Sequence, residues 1–268
     1  GEYTFPASET TTVNGSDNVA YADPATYLNT PNVSTIGKRM TSTILTNTVP
    51  TNLVNGTYGP ANPLEGIGKG DVIKLQGGAI NTYFEDITLK SGMADTTGRN
   101  IVLNDGGNKT ICKNTTLYAY QDTYVSNNQN GKFYFEDGVI RGRTDYICGK
   151  GDVYFNNVNF KNSDKGGYIA VPSQPKKYGY ILNNCTISGE KDDIDGNYTL
   201  GRPWGAGTPI ALWINTRMEI IPSAIGWNEM SGGYPARFAE YNSQTATGTV
   251  INLNSRKLIF ANTHTNNP

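Results

Sequence analysis

The sequence contains one histidine, His264, which lies four positions before the last residue of the chain. A Ser-His-Asp or Cys-His mechanism needs a histidine that is held beside the nucleophile. A histidine in a polar terminal segment is poorly suited to that task. We therefore expect any hydrolytic chemistry of this protein to depend on other side chains.

The sequence also has few cysteines, almost no net charge and no long apolar run. Cys112, Cys148 and Cys185 are too few and too scattered for a zinc site, and an odd count favours buried thiols. The 22 basic and 23 acidic residues nearly cancel, so the surface should not attract nucleic acid or an anionic membrane. No apolar run reaches the roughly 18 residues that a membrane span needs. We expect no metal, cofactor, nucleic acid or membrane partner.

Helical periodicity is absent too, and short alternating runs broken by Gly, Asn and Asp indicate strands. Five runs share a seven-residue pattern that begins with Tyr or Ile, ends with Leu, Ile or Phe, and has Asp or Asn at its fourth place. The runs are residues 83–89, 111–117, 134–140, 154–160 and 181–187. Their starts are 28, 23, 20 and 27 residues apart, and a period of that length indicates a solenoid.

With one strand motif per period and no helix signal, we predict an all-β fold, a single-stranded right-handed parallel β-helix. Stacked coils would align the fourth-place residues in a ladder at a bend, where their side chains can bond free backbone groups. These residues are Asp86, Asn114, Asp137, Asn157 and Asn184. Outside the repeat, we predict loops at 10–18 and an edge strand within 250–260. The repeat fades after about residue 217.

Two aspartates occupy equivalent places on consecutive coils. Asp122 lies eight residues after Asn114, and Asp145 lies eight residues after Asp137. Because neighbouring strands are about 4.7–4.9 Å apart, the two carboxylates should lie within one strand spacing. Two such carboxylates cannot easily both ionise, so we expect one raised and one low pKa. The pair suits acyl or glycosyl transfer, and a structural ladder of aspartates at a turn is the alternative.

The residues around this pair resemble the motifs of the pectinesterase (pectin methylesterase) family. Residues 120–123 (Tyr-Gln-Asp-Thr) are similar to its G-Y-Q-D-T motif, and residues 145–149 (Asp-Tyr-Ile-Cys-Gly) to its D-F-I-F-G motif. Residues 200–204 (Leu-Gly-Arg-Pro-Trp) are identical to its L-G-R-P-W motif, and residues 238–241 resemble a late family segment. The motifs follow in the family's order, and the likeness runs from about residue 83 to 243.

This resemblance implies hydrolysis of galacturonate methyl esters in pectin, with release of methanol. Asp145 matches the family's nucleophile, and Asp122 matches its general acid and base. Gln121 matches an amide donor to the oxyanion. Arg202 matches the arginine that orients the nucleophile and keeps its pKa low. Trp204 matches an aromatic wall for the sugar.

The family pattern is not matched everywhere. Arg99 stands where the family has a glutamine that donates to the oxyanion. It could donate in the same way, bind a free carboxylate of the substrate, or point elsewhere and leave Gln121 as the main donor. Tyr146 and Cys148 replace two phenylalanines, which we interpret as packing changes. We count Arg99, Tyr124 and Tyr146 with Trp204 as candidate substrate-binding residues.

The resemblance also implies one domain over residues 1–268, a β-helix that lacks its N-terminal cap. It implies a monomer that acts on cell-wall pectin and is secreted or periplasmic. Three alternatives remain open: a glycosidase or lyase on the same fold, an esterase or thioesterase with another substrate, and an inactive β-helix that binds polysaccharide.

Overall fold

The computed structural model describes residues 1–6, 9–13, 16–21, 26–48, 71–92, 99–205, 207–230, 233, 235 and 237–257. His264 lies outside these residues. Within them are 26 strands, numbered β1 to β26 in chain order, and one 3-10 turn at Asp192–Ile194. In the described part of the chain, no helix has the length and apolar character that a membrane span requires.

Three parallel sheets contain 24 of these strands, and the chain contributes strands to the three sheets in turn as it coils. The first sheet contains, in spatial order, β1 (Glu2–Phe5), β6 (Ile44–Asn47), β9 (Thr88–Lys90), β12 (Thr116–Tyr118), β15 (Val139–Gly142), β18 (Asn159–Asn162), β21 (Thr186–Gly189), β24 (Arg217–Met218) and β26 (Gln244–Thr245). The second sheet contains β22 (Tyr198–Gly201), β19 (Gly167–Pro172), β16 (Thr144–Gly149), β13 (Tyr124–Ser126), β10 (Leu103–Asp105), β7 (Ile73–Leu75) and β4 (Thr26–Leu28).

The third sheet contains β25 (Arg237–Tyr241), β23 (Ile210–Ile214), β20 (Tyr180–Asn183), β17 (Asp152–Asn156), β14 (Lys132–Glu136), β11 (Thr110–Lys113), β8 (Tyr83–Glu85) and β5 (Ser34–Ile36). In each sheet, strands that are adjacent in space come from consecutive coils. The fold is therefore a right-handed parallel β-helix, as the repeat predicted. The remaining two strands, β2 (Glu9–Val13) and β3 (Ser16–Tyr21), form an antiparallel hairpin.

Alternation along the strands fills the interior with stacked apolar side chains. In the first sheet, Leu89, Leu117, Ile140, Phe160 and Ile187 pair in register, and each is buried. Aromatic rings cross between sheets inside the coil, as where Phe155 meets Phe160 edge-on with centroids 5.4 Å apart. Parallel strands with covered inner faces are stabilised by this continuous burial.

The predicted ladder of polar residues lies at the bend between the third and first sheets. All five predicted members have a positive φ between 47° and 56°, which Asn and Asp tolerate better than most residues. Asn157 Nδ2 donates to Asp137 Oδ1 at 2.7 Å, and Asn114 donates to Asp86 in the same way. Side-chain hydrogen bonds therefore join Asp86 to Asn114 and Asp137 to Asn157 across neighbouring coils at this bend.

Three predictions about the ends of the chain were wrong. The ladder continues through Asn215 and Asn242, whose side chains bond each other at 2.9 Å, so the repeat extends to β26. Residues 10–13 and 16–18 belong to the hairpin of β2 and β3, which backbone pairing forms despite the Thr-rich sequence, and residues 14 and 15 lie outside the described residues. Val250 makes one antiparallel bridge to Gln244, and residues 251–257 form no strand. The rest of the predicted strand, 258–260, lies outside the described residues.

Candidate active site

Asp122 and Asp145 lie side by side on neighbouring coils, at the start of the second sheet. Gln121 pairs with Thr144, and Tyr124 pairs with Ile147, so one offset of 23 residues places Asp122 opposite Asp145. The backbone N–H of Asp122 donates to the Thr144 carbonyl at 3.1 Å. Both aspartates have a left-handed backbone, with φ of 55° and 52°.

The two carboxyl groups are nearly buried at the base of a small depression. Asp122 is 5% exposed and Asp145 is 6% exposed. The depression has a volume of about 60 Å³. Its described lining residues are Arg99, Gln121, Asp122, Asp145, Cys148, Val171, Trp204 and Met230.

Arg202 binds Asp145 through both oxygens. Its Nε donates to Oδ1 at 3.0 Å and its Nη2 donates to Oδ2 at 2.6 Å. This two-point arrangement fixes the direction of the carboxylate as well as its position. Behind it, the guanidinium stacks on Tyr168, with Cζ 3.8 Å from the ring centroid. Tyr168 was not anticipated from the sequence because no motif includes it, although it lies 23 residues after Asp145, the same offset that separates Asp122 from Asp145.

Two different groups hold the oxygens of Asp122. Arg99 Nε lies 3.2 Å from Oδ2, and Cys148 Sγ donates to Oδ1 at 3.8 Å. The interpretation of Cys148 as a packing change was therefore incomplete, because its thiol lines the depression and contacts the carboxyl. Met230, which also lines the depression, was missed because it lies outside every recognised motif.

Burial is the main influence on the acidity of both groups. It raises the pKa of Asp122 to about 7, with a further increase from the charge of Asp145 and an opposing effect of Arg99. It also raises the pKa of Asp145, against the opposing effects of Arg202, Arg99 and Arg143. The expected low pKa of Asp145 was wrong in direction, because desolvation outweighs the arginine fork. The expected high pKa of its neighbour agrees with the structure.

Gln121 and Trp204 complete the rim of the depression. The backbone N–H groups of Tyr120 and Gln121 donate to Asn100 Oδ1 at 2.7 and 3.2 Å, which fixes the turn that presents Gln121. Trp204 packs on a small apolar cluster that includes Val171 and Cys148. Its half-buried ring forms one wall.

Tyr124 and Tyr146 do not belong to the depression, and their prediction as substrate-binding residues was wrong. Both side chains are 0% exposed and belong to the main core. The Tyr124 hydroxyl donates to Asp105 Oδ2 at 3.4 Å, and the Tyr146 hydroxyl donates to Asn162 Oδ1 at 3.4 Å. Because both rings are buried in the core, neither can contact a substrate.

The fold and this depression together define a β-helix protein with an aspartate-based site suited to acyl transfer. The chain belongs to the pectinesterase family, because the family profile described as Pectinesterase matches residues 29–265. Pectinesterase A of Dickeya chrysanthemi is 29% identical over 207 residues, which cover 64% of this chain and 55% of that protein. The chain spans about half the length of the curated relatives it matches.

Solved structures have the same architecture. The pectin methylesterase from Yersinia enterocolitica superimposes with a TM-score of 0.69 at 25% identity, over 86% of this chain and 84% of that one. A pectin methylesterase variant in complex with a hexasaccharide superimposes with a TM-score of 0.64 at 20% identity, over 87% of this chain and 79% of that one. The second likeness concerns the fold alone.

Proposed function

We propose that this protein hydrolyses the methyl esters of galacturonate residues in pectin and releases methanol. The observation that carries the proposal is the carboxylate of Asp145, held at two points by Arg202 beside a second carboxyl group whose pKa is about 7. Membership of the pectinesterase family and the hexasaccharide bound to a structural neighbour support the choice of substrate.

In the first half of the reaction, an oxygen of Asp145 attacks the ester carbonyl carbon. The fork from Arg202 aligns this weak nucleophile, so that no orientational freedom is lost in the step. The bond from the carbonyl carbon to the methoxy oxygen breaks, and Asp122 gives its proton to the departing methanol. A mixed anhydride with Asp145 and an ionised Asp122 result. With a pKa of about 7, Asp122 is mostly protonated in mildly acidic solution and about half protonated at pH 7.

In the second half, ionised Asp122 takes a proton from water, and the resulting hydroxide adds to the acyl carbon. The bond to Asp145 breaks, which restores its carboxylate and the protonated Asp122. The uronic acid product then ionises and releases one proton. Gln121 and Arg99, at the rim, are positioned to donate to the oxyanion of each tetrahedral intermediate, and one such donor is typically worth about a hundred- to a thousandfold in rate.

We assign Trp204 and Arg99 to substrate binding as well. Trp204 offers an apolar wall for a sugar ring, and Arg99 carries its charge at the open side of the depression, where its side chain is 40% exposed. We further propose that the protein acts as a monomer, is secreted or periplasmic, and works on cell-wall pectin.

The direct test is incubation of the purified protein with highly methylated pectin, followed by measurement of methanol, reducing ends and unsaturated uronates. We expect methanol and titratable acid in equal amounts. New reducing ends or unsaturated uronates without methanol would replace the esterase proposal with a glycosidase or a lyase. Methanol release that survives Asp145→Ala would refute the assigned nucleophile.

A further inference from the structure

The thiol of Cys148 lies beside the carboxyl group of Asp122 in the catalytic depression. Cys148 is 2% exposed, and its Sγ donates to Asp122 Oδ1 at 3.8 Å. At the other oxygen, Arg99 Nε lies 3.2 Å from Oδ2. Arg99 comes from the preceding coil and Cys148 from the following one. Each oxygen of Asp122 therefore has its own donor, and the two donors approach from opposite sides.

Packing fixes the direction of this thiol. Cys148 pairs with Val125 on β13 and with Val171 on β19, and these side chains form a small buried cluster with Ile101. Valine and isoleucine have few accessible rotamers. A functional group is held accurately when neighbouring side chains of this kind lock its own conformation. The position of Sγ is therefore set before any substrate binds.

Burial keeps the proton on the sulfur. It raises the pKa of the Cys148 thiol well above the usual value, and the charges of Asp122 and Asp145 raise it further, against an opposing effect of Arg99. The thiolate is the nucleophilic form of cysteine, so a thiol that stays protonated is poorly suited to attack an ester. The same raised pKa leaves the S–H group available as a donor at neutral pH.

A thiol suits a carboxyl group that changes its protonation state during the reaction. In the proposed mechanism, Asp122 is protonated before methanol leaves and ionised afterwards. The S–H group of Cys148 can donate to the ionised form, and its sulfur can accept from the O–H of the protonated form. Phenylalanine, which the pectinesterase motif has at this place, can do neither. Cys148 can therefore hold the carboxyl of Asp122 in both halves of the reaction.

The charges around Asp122 indicate what the loss of this bond would do. The titratable and charged groups around it are Cys148 and Asp145 on the following coil, Arg99 on the preceding coil, and Arg143 and Arg202, which act on Asp145. Burial and the charge of Asp145 raise the pKa of Asp122, whereas Arg99 and the hydrogen bond from Cys148 lower it. Without the thiol, the pKa of Asp122 should rise further.

We propose that Cys148 is a positioning residue of the esterase reaction, whose thiol holds Oδ1 of Asp122 in both halves of the reaction while Arg99 lies at Oδ2. This inference rests on the proposed function. The sulfur forms no bond to the substrate and transfers no proton to it. Its effect on Asp122 should therefore be seen in kcat and in the pH profile, and KM should not change.

The test compares Cys148→Ala, which removes the hydrogen bond, with Cys148→Ser, which keeps a group that donates and accepts. Methanol release from highly methylated pectin is measured between pH 4 and pH 9. We expect Cys148→Ala to lower kcat by about three- to tenfold, because Asp122 is less well oriented. The basic limb of kcat/KM should move to higher pH. Cys148→Ser should recover most of kcat and return the limb toward its wild-type position.

Cys185→Ala is the matched control. The Cys185 thiol is also buried, but it donates to the backbone carbonyls of Asn183 and Phe155, at 3.4 and 3.7 Å. Its removal should leave kcat and the basic limb unchanged. An unmoved limb in Cys148→Ala, or an equal loss in Cys148→Ser, overturns the inference while the esterase proposal stands. A loss of about a thousandfold in both Cys148 variants also overturns it, because the sulfur would then be the nucleophile.

If the wild-type protein releases no methanol, the proposed function fails, and urea unfolding tests the hydrogen bond by itself. A folded-state pKa that is raised gives stability that is lost as the pH rises through it. Cys148→Ala should therefore lose more stability than wild type between pH 4 and pH 9. This extra loss should disappear when both proteins also carry Asp122→Asn. An extra loss that persists in that background, or no extra loss at all, overturns the inference.

Discussion

Asp137 and Asp145 lie eight residues apart and share a left-handed backbone, with φ of 54° and 52°. Asp137 is exposed at the ladder bend and accepts a hydrogen bond from Asn157 at 2.7 Å. Asp145 is 6% exposed, faces the carboxyl of the neighbouring coil and is bound by Arg202. The backbone uses aspartate as a turn residue at both bends. Only Asp145 is also buried and bound by a cation, and these are the features that the proposed reaction uses.

The largest effect should come from removing the charge of Asp145, with the same substitution at Asp137 as the comparison. Asp145→Asn removes the proposed nucleophile and should lower kcat for methanol release by at least about a thousandfold. Asp137→Asn keeps a residue that tolerates positive φ and can still bond Asn157, so its kcat should stay within about twofold of wild type. Comparable losses in the two variants would remove the functional distinction between the bends.

Arg202→Gln keeps the proposed nucleophile but removes the side chain that orients it, so it tests how much orientation contributes to the rate. We expect kcat to fall by about a hundredfold, because Asp145 stays buried without its fork. Without the cation, the pKa of Asp145 rises further, so the acidic limb of the pH profile should move to higher pH. Arg256→Lys is the control, since Arg256 forms a buried fork to Glu240 away from the site. It should lower stability without moving that limb, and a shift in both variants would count against a specific role for Arg202.

Asp122→Asn should change how stability depends on pH. Burial raises the pKa of Asp122 from 3.8 to about 7, so the folded state favours the protonated carboxyl. The stabilising contribution is complete below about pH 4 and is lost as the pH rises through 7. The variant should therefore gain about 4 kcal/mol over wild type between pH 4 and pH 8, because each unit of the pKa shift corresponds to about 1.4 kcal/mol. Urea unfolding at the two pH values measures this gain. The pKa of Asp105 is also raised to about 7, but Asp105 is present in both proteins, so its contribution cancels from the difference between them. An equal difference at both pH values would contradict a raised pKa.

Arg99→Gln should have a smaller effect on the same carboxyl. Because Arg99 opposes the raised pKa of Asp122, its removal should move the basic limb of kcat/KM to higher pH. We expect about a two- to tenfold lower kcat/KM at the wild-type optimum, since glutamine still offers a donor to the oxyanion. A pH profile on fully methylated pectin provides the measurement. An unmoved basic limb would mean that Arg99 does not act on Asp122.

The smallest effect is expected at the ladder. Asn157→Ala and Asn157→Gly both lose the bond to Asp137, but only glycine adopts a φ of 55° without cost. The alanine variant should be less stable than the glycine variant by about 1 kcal/mol, with methanol release unchanged in both. Denaturant midpoints measure the difference. Equal midpoints would show that left-handed geometry costs nothing at this bend.

The repeat predicted the strand register of the central coils. Tyr83, Ile111, Tyr134, Tyr154 and Ile181 begin the five repeated segments and pair with one another in that order. A solenoid allows this, because each coil contacts only its neighbours and equal sequence positions become equal spatial positions. The last two rungs, Asn215 and Asn242, were not predicted from the repeat, because their segments begin with Leu212 and Ala239 instead of Tyr or Ile.

Side-chain direction near the site was less predictable. Tyr124 and Tyr146 lie close to the aspartates in sequence, yet both are buried in the core. Met230 lies far from the pair in sequence and lines the same depression. The spacing of residues along one coil does not say which distant coil supplies such a neighbour.

The amino-acid sequence by itself determined the solenoid, the ladder and the pairing of Asp122 with Asp145, since all three follow from local periodicity. The tertiary structure decided which bend became the candidate active site. It buried the pair, brought Arg202 from 57 residues away onto Asp145, and placed Arg99 and Cys148 on Asp122. The acidity of a carboxyl group depends on the charges and the solvent around it. In this protein, other coils supply the charged neighbours and the burial, and the residues next to each aspartate in sequence do not specify them.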